Sequence, residues 1–171
     1  RRRLKKRNAY KRWSDESWPY FAYALVNLIG NAPKNTVVDK SLKYSNVKKL
    51  WLKGFQWSEL PSGIKNLTNL TSLVMRGWRN SHFSLKDIDS LANLTHLTSL
   101  SLEDYHILEI GKGLVNMTNL TDLKLSGLNN LYNVDNLIHL TNLTRLDLSY
   151  CGSLKNVNGL SNLTNLTRLD L

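Results

Sequence analysis

The sequence repeats one nine-residue phrase five times. The copies are LTNLTSLVM from residue 67, LTHLTSLSL from 94, MTNLTDLKL from 117, and LTNLTRLDL from both 140 and 163, so the phrase advances by 27, 23, 23 and 23 residues. Regular spacing of this length is typical of repeat proteins, in which each copy forms one unit that packs against its neighbours. The period therefore constrains the fold before any single residue is considered.

Within each copy the apolar residues follow the spacing L-x-x-L-x-x-L-x-L, which matches the leucine-rich repeat. Successive side chains of a strand point to opposite faces, so both residues of an L-x-L pair enter one interior. We therefore expect an α/β leucine-rich-repeat solenoid with short parallel strands on its concave face. Six pairs predict six strands: Leu50 and Leu52, Leu73 and Met75, Leu100 and Leu102, Leu123 and Leu125, Leu146 and Leu148, and Leu169 and Leu171.

The segments between the strands predict the convex side. Segments 129–139 and 152–162 space their apolar residues three apart, which favours irregular or 3₁₀-helical arms over long helices. The 27-residue unit has four residues more than the others, and we expect them in the loop after its strand.

The turn after each strand departs from the repeat consensus, which has Asn or Cys three residues after the second strand leucine. Only Cys151 conforms, so we expect apolar packing at these turns and a structural role for Cys151. The five residues at this position are Phe55, Trp78, Tyr105, Leu128 and Cys151.

Composition divides the chain into three parts. Residues 1–13 form a basic segment, and 14–43 have the acidic start, Pro19 and Gly30 expected of a helical cap or linker. Residues 44–171 form the repeat domain, which we expect to be truncated because its sixth strand is the last part of the sequence.

The net charge of +10 is concentrated at one end. Residues 1–12 carry eight basic side chains and no acidic one, which leaves +2 for the rest of the chain. Such a segment is typical of a nucleic-acid arm, a patch for anionic membranes or a solvated tail. No nucleic-acid-binding motif accompanies it, so nucleic acid or membrane binding is only an alternative here.

The residue types that catalysis needs are not grouped. The four histidines share no ligand spacing, and GKG at 111–113 lacks the rest of a phosphate-binding loop. We therefore expect no enzyme, metal, cofactor or small-molecule substrate in this segment. A single cysteine favours a reducing compartment, and the longest apolar stretch, 20–30, is too short to span a bilayer.

The repeated phrase also creates eight N-x-S/T patterns, which we interpret as a by-product of the repeat rather than as glycosylation sites. They begin at Asn66, Asn69, Asn93, Asn116, Asn119, Asn142, Asn162 and Asn165.

The strand residues that point away from the core predict a protein-binding surface. Lys49, Lys53 and Arg76 surround Trp51 and make one end basic and aromatic, whereas ion pairs between Lys124 and Asp147 and between Asp122 and Arg145 are expected to neutralise the other end. The candidate binding residues are Lys49, Trp51, Lys53, Val74, Arg76, Ser101, Glu103, Asp122, Lys124, Arg145 and Asp147.

Residues 44–171 resemble the leucine-rich-repeat region of plant disease-resistance proteins of the coiled-coil, nucleotide-binding class. Their pattern LPxxIxxLxNLxxLxL is matched by Leu60, Pro61, Ile64, Leu67, Asn69, Leu70 and Leu73.

The resemblance implies a ligand-sensing and autoinhibitory region of an intracellular plant immune receptor. It implies a cytoplasmic location, including the inner face of the plasma membrane, and a pathogen effector or host protein on the concave face. The receptor's own nucleotide-binding domain would be a further partner, and ATP or ADP would bind only in that neighbouring domain. Bacterial surface repeats use a similar LTNLTxLxL phrase, so the alternative is a microbial adhesion or effector protein.

Overall fold

A computed structural model describes residues 47–53, 60, 62–77, 88–107 and 110–171. The basic segment 1–13 and the helix expected within 14–43 lie outside the described residues. Six strands form one parallel sheet in sequence order. The strands are β1 (Lys49–Lys53), β2 (Ser72–Arg76), β3 (Ser99–Glu103), β4 (Asp122–Lys124), β5 (Arg145–Asp147) and β6 (Arg168–Asp170).

The convex side of the described residues consists of short 3₁₀ helices, in agreement with the three-residue apolar spacing. The helical elements are Ser62–Asn66, Asp89–Leu91, Lys112–Leu114, Asp135–His139 and Asn158–Leu160. Each is followed by the next strand, so one strand and one convex arm make up a coil of the solenoid.

Equivalent leucines lie in register along the sheet. Leu73 pairs with Leu50 on one side and Leu100 on the other, and the column continues through Leu123 and Leu146 to the last strand. The 27-residue unit keeps this register, because Ser72 pairs with Ser99. Since Asp89 precedes β3 by the same interval as Lys112 precedes β4, the four extra residues lie between β2 and Asp89.

The leucines form one continuous core rather than separate cores for each coil. Leu73, Leu100, Leu123 and Leu146 are at most 2% exposed, and their neighbours above and below are the equivalent leucines of adjacent coils. Full burial of such a side chain stabilises by about 1.5 to 3 kcal/mol relative to exposure. That gain is available only when coils stack.

Apolar packing at the turns is confirmed at the described positions. Tyr105 and Leu128 are fully buried and Cys151 is 9% exposed, whereas Phe55 and Trp78 lie outside the described residues. These side chains fill the space that a small polar residue occupies in the consensus repeat.

Threonine joins each coil to the one before it. The Thr98 hydroxyl donates to the Thr71 carbonyl at 3.1 Å, Thr121 repeats the bond to Thr98 at 3.1 Å, and Thr144 repeats it to Thr121 at 3.0 Å. The same carbonyls accept two successive backbone N–H groups, so Thr71 O also receives Thr98 N and Ser99 N. We call this set of hydrogen bonds the threonine ladder.

Asparagine side chains make a second set of hydrogen bonds between the same coils, which we call the asparagine ladder. The side-chain amides of Asn119, Asn142 and Asn165 each donate at 2.8 Å to a threonine carbonyl of the preceding coil. His96 replaces asparagine in one coil, and its Nδ1 lies 3.1 Å from the Thr68 carbonyl oxygen. A carbonyl only accepts, so Nδ1 of His96 carries the proton.

The two ladders explain the repeated phrase, because its Asn and its second Thr both hold neighbouring coils together. The N-x-T patterns that begin at Asn119, Asn142 and Asn165 therefore have a structural role in these coils. Among the described residues, no helix is long and apolar enough to cross a membrane.

Close stacking predicts an effect of Gly113→Ala. A Cβ atom at Gly113 would overlap the backbone carbonyl of Ile88 in the preceding coil, and backbone cannot move aside cheaply. We expect the substitution to lower the free energy of unfolding by about 1 to 3 kcal/mol, as measured by urea denaturation. Gly152→Ala is the control, because no atom lies within 4 Å of its Cβ position; equal losses from both would contradict the stacking argument.

The asparagine ladder predicts a difference between two exposed asparagines. Asn142→Asp replaces the donor to Thr118 O with an acceptor, and we expect a loss of about 1 kcal/mol in the free energy of unfolding. Asn116→Asp makes the same charge change where no described residue bonds the side chain, so stability should change by less than about 0.5 kcal/mol. Indistinguishable denaturation curves for the two variants would refute the ladder's contribution.

Candidate functional site on the concave face

The outward residues of the strands form a column across the concave face. Trp51, Val74 and Ser101 are neighbours in register, and Lys124 and Asp147 continue the column on β4 and β5. Trp51 is 67% exposed, and Val74 is partly exposed. The sequence-based candidate residues are therefore brought onto one surface.

Ion pairs link four strands through the middle of this surface. Arg76 Nη1 lies 3.9 Å from Glu103 Oε2, and Lys124 Nζ lies 3.3 Å from the same oxygen. Lys124 also lies 3.8 Å from Asp147 Oδ2, as expected. Basic and acidic side chains alternate from β2 to β5, so each of these charges has an oppositely charged neighbour.

The expected pair between Arg145 and Asp122 is also formed, and Arg168 pairs with Asp170 at 2.8 Å on the last strand. Both arginines are more than half exposed, so each pair contributes about 0 to 1 kcal/mol. Beyond β2, each basic side chain of the described strands (Lys124, Arg145 and Arg168) thus pairs with an acidic one.

Two sequence-based candidates differ in role from the expectation. Ser101 points outward but is only 8% exposed, and its hydroxyl donates to Glu103 Oε1 at 2.7 Å. Arg76 was expected to add charge beside Trp51, yet its Nε donates to Asp104 Oδ2 at 3.0 Å in addition to the Glu103 contact. Ser101 and Arg76 therefore hold the acidic side chains of Glu103 and Asp104 in place, and both already use their polar groups in these contacts.

The β1 end of the face retains the basic and aromatic character. Lys48 and Lys49 are exposed, and neither forms an ion pair with another described residue. Lys53 belongs to β1, but its side chain lies outside the described part of the structure. Within the described surface, Trp51 and Lys49 of β1, with the exposed Lys48 directly before the strand, thus form the strongest candidate contact region, which we call the β1 patch.

Tyr150 is a candidate residue of the functional site that the pattern of outward strand residues did not identify. It follows β5, is 74% exposed and has a φ of 61°. Asp104 (φ 59°) and Gly127 (φ 72°) stand at the same repeat position, so the turns after β3, β4 and β5 each hold a left-handed residue, unlike the turn at Gly77 after β2. Glycine and aspartate adopt this conformation readily, but an aromatic residue is strained there. Alignment of the repeats, which puts Tyr150 opposite Asp104 and Gly127, is the signal that identifies it.

Cys151 contributes structure rather than reactivity. It is buried, its Sγ donates to the Leu125 carbonyl at 3.0 Å, and desolvation by burial raises the pKa of its thiol. A hydrogen bond with the Leu128 backbone lowers this pKa and the charge of Asp147 raises it, both less than burial does. Within the described residues, no three His, Cys, Asp or Glu side chains cluster as metal ligands.

The strain at Tyr150 predicts an increase in stability for Tyr150→Gly. Glycine removes the left-handed penalty of about 1 to 2 kcal/mol but adds chain entropy to the unfolded state, so the net gain should be about 0.5 to 1 kcal/mol. Tyr150→Ala keeps the penalty and should give no gain. Urea denaturation measures both, and a stabilised alanine variant would show that the side chain, not the backbone, is responsible.

Comparison with known proteins identifies the fold. No protein-family model and no curated protein sequence matches the chain. An internalin (inlF) from Listeria monocytogenes is similar, with a TM-score of 0.68 and 30% identity over 91% of this chain and 42% of the internalin. The functional domain of InlJ from the same species has a TM-score of 0.50 and 25% identity over 63% of this chain and 22% of that protein.

A leucine-rich-repeat protein of Leptospira interrogans has a TM-score of 0.59 and 23% identity over 74% of this chain and 31% of that protein, which is evidence for the fold alone. The chain thus spans less than half the length of each of these three neighbours. They are bacterial, and a plant origin is not shown by them. Together with the six parallel strands in register, they establish that the described repeats form a leucine-rich-repeat solenoid.

Proposed function

We propose that the chain is a protein-binding module that contacts its partner with the concave face. The observation that carries this proposal is Trp51, which exposes 67% of its surface in the middle of an ordered strand. A tryptophan at the centre of a contact, surrounded by residues that exclude water, is a common source of binding energy. Lys48 and Lys49 supply charge for orienting a partner.

The ion pairs on the rest of the concave face also support a protein-binding function. The ion pairs from Arg76 to Asp147 hold long side chains in place before a partner arrives. A pre-ordered surface loses less side-chain entropy on binding. The ion-paired strands therefore serve as a rigid polar platform beside the β1 patch.

The solved neighbours favour a microbial setting within this proposal. The similarity to the internalin supports the alternative of a microbial adhesion or effector protein. The second candidate, the sensing and autoinhibitory region of a cytoplasmic plant immune receptor, is supported by the LPxxIxxLxNLxxLxL match. In both settings the same concave surface contacts a protein.

The proposal predicts that Trp51→Ala weakens binding strongly. The probe is a peptide or small protein selected from a display library against the 171-residue chain, and calorimetry measures its dissociation constant. Loss of a hot-spot tryptophan costs about 2 kcal/mol or more, so the dissociation constant should rise at least thirtyfold. Denaturation curves should stay unchanged, since the side chain is largely exposed.

Arg145→Ala and Asn116→Ala are the matched controls for this experiment. Arg145 lies in the self-neutralised part of the concave face, and Asn116 is exposed on the convex side. Each should change the dissociation constant less than threefold. A loss at Asn116 as large as that at Trp51 would move the contact to the convex side and overturn the proposal.

A further inference from the structure

The positive charge of the β1 patch is not neutralised by the described part of the concave face. In register, Lys49 is followed by two uncharged residues, Ser72 on β2 and Ser99 on β3. The first carboxylate in this row is Asp122 on β4, which already pairs with Arg145. Three strands span roughly 14 Å, which exceeds the screening length of about 8 Å at physiological ionic strength. A partner that meets Lys49 therefore meets a net positive charge.

An apolar surface lies directly beside this charge. Lys49 and Trp51 are two residues apart on one strand, so they share a face at a separation of about 6.6 Å. The neighbour of Trp51 in register on β2 is Val74, which is partly exposed. The next residue of the row is Ser101, which is only 8% exposed. The accessible apolar surface in this row therefore consists of Trp51 and Val74.

The acidic side chains of the other strands limit how far an anionic partner can extend. Every strand from β3 to β6 has a carboxylate on the concave face, and these are Glu103, Asp122, Asp147 and Asp170. Each basic side chain described on β2 to β6 already pairs with a carboxylate. A nucleic-acid strand needs a positively charged groove that follows its backbone, and the described face has none beyond β1. A short acidic segment over β1 and β2 avoids the repulsion.

From these observations we propose that the β1 patch binds an acidic protein segment in which a carboxylate side chain lies next to an apolar one. The carboxylates contact Lys48 and Lys49, and the apolar side chain packs on Trp51 and Val74. Residues i and i+2 of an extended segment share a face at about 6.6 Å, so alternating acidic and apolar residues match the spacing of Lys49 and Trp51. This inference rests on the proposed protein-binding function and adds the chemistry of the partner.

Peptide selection from a random display library tests the chemistry of the partner. The selection is run in parallel on the 171-residue chain and on its variant Lys48→Glu/Lys49→Glu. Peptides selected on the original chain should contain Asp and Glu at least about twofold more often than the unselected library, alternating with apolar residues. The variant should select Lys and Arg instead, because its patch now repels carboxylates.

The tightest acidic peptide is then measured by calorimetry. Its dissociation constant for Lys48→Glu/Lys49→Glu should be at least about tenfold higher than for the original chain. Raising the salt concentration should weaken its binding to the original chain, because salt screens exposed charges. Denaturation curves of the two proteins should agree, since both lysines are exposed.

Lys65→Glu/Lys112→Glu is the matched control for net charge. Both lysines are exposed and belong to 3₁₀ helices of the convex side. This variant should still select acidic peptides, and the dissociation constant of the tightest peptide should change less than about twofold. Equal losses in the two charge variants would mean that net charge alone attracts the peptide, which would overturn the inference.

Two other results would also contradict an acidic protein partner. The first is an unchanged peptide composition when Lys48 and Lys49 are reversed in charge. The second is a single-stranded oligonucleotide that displaces the peptide at equal concentration, since the patch would then bind polyanions in general. If Trp51→Ala weakens binding while the reversal of Lys48 and Lys49 has no effect, this inference fails and the proposed function stands. If neither change has an effect, both fail.

Discussion

Stacking of one coil on the next is the constraint on which the whole structure depends. A single coil has its leucines on the inside of a ring too thin to enclose them, so the equivalent leucines of its neighbours must cover them from above and below. Leu123 is buried because Leu100 and Leu146 flank it in register, not because its own coil surrounds it. Stability is accordingly shared between coils, as expected of a chain in which each unit contacts only its neighbours.

Two polar ladders determine how the coils stack. Leucine side chains alone would tolerate a shift of one coil against another, since burial is roughly proportional to area and has no direction. The threonine hydroxyls and asparagine amides add directed bonds to specific carbonyls of the preceding coil, such as Thr121 to Thr98 and Asn142 to Thr118. The register of the sheet and the repeated NLT triplet are therefore two consequences of the same contacts.

The sequence predicted those features that follow from the period. The six strands, the short convex helices and the ion pairs Lys124–Asp147 and Asp122–Arg145 all depend on equivalent positions lying side by side. Features that depend on one coil differing from its neighbours were not predictable in this way. Glu103 contacts Arg76, Lys124 and Ser101, two of which lie in neighbouring coils. The alternation of inward and outward residues does not predict such contacts, because they depend on the length of the Glu103 side chain. The strained Tyr150 becomes visible only when the turns of successive coils are aligned.

The 27-residue unit is longer than its 23-residue neighbours, yet its strand keeps register with theirs. The length of a unit and the register of its strand are therefore independent of each other here. The strands keep the register in which the coils stack, and the additional residues lie between β2 and Asp89. The length of such a segment can therefore change while the register of the buried leucines stays as it is. An insertion between a strand and the next convex helix therefore need not disturb the leucine core that neighbouring coils share.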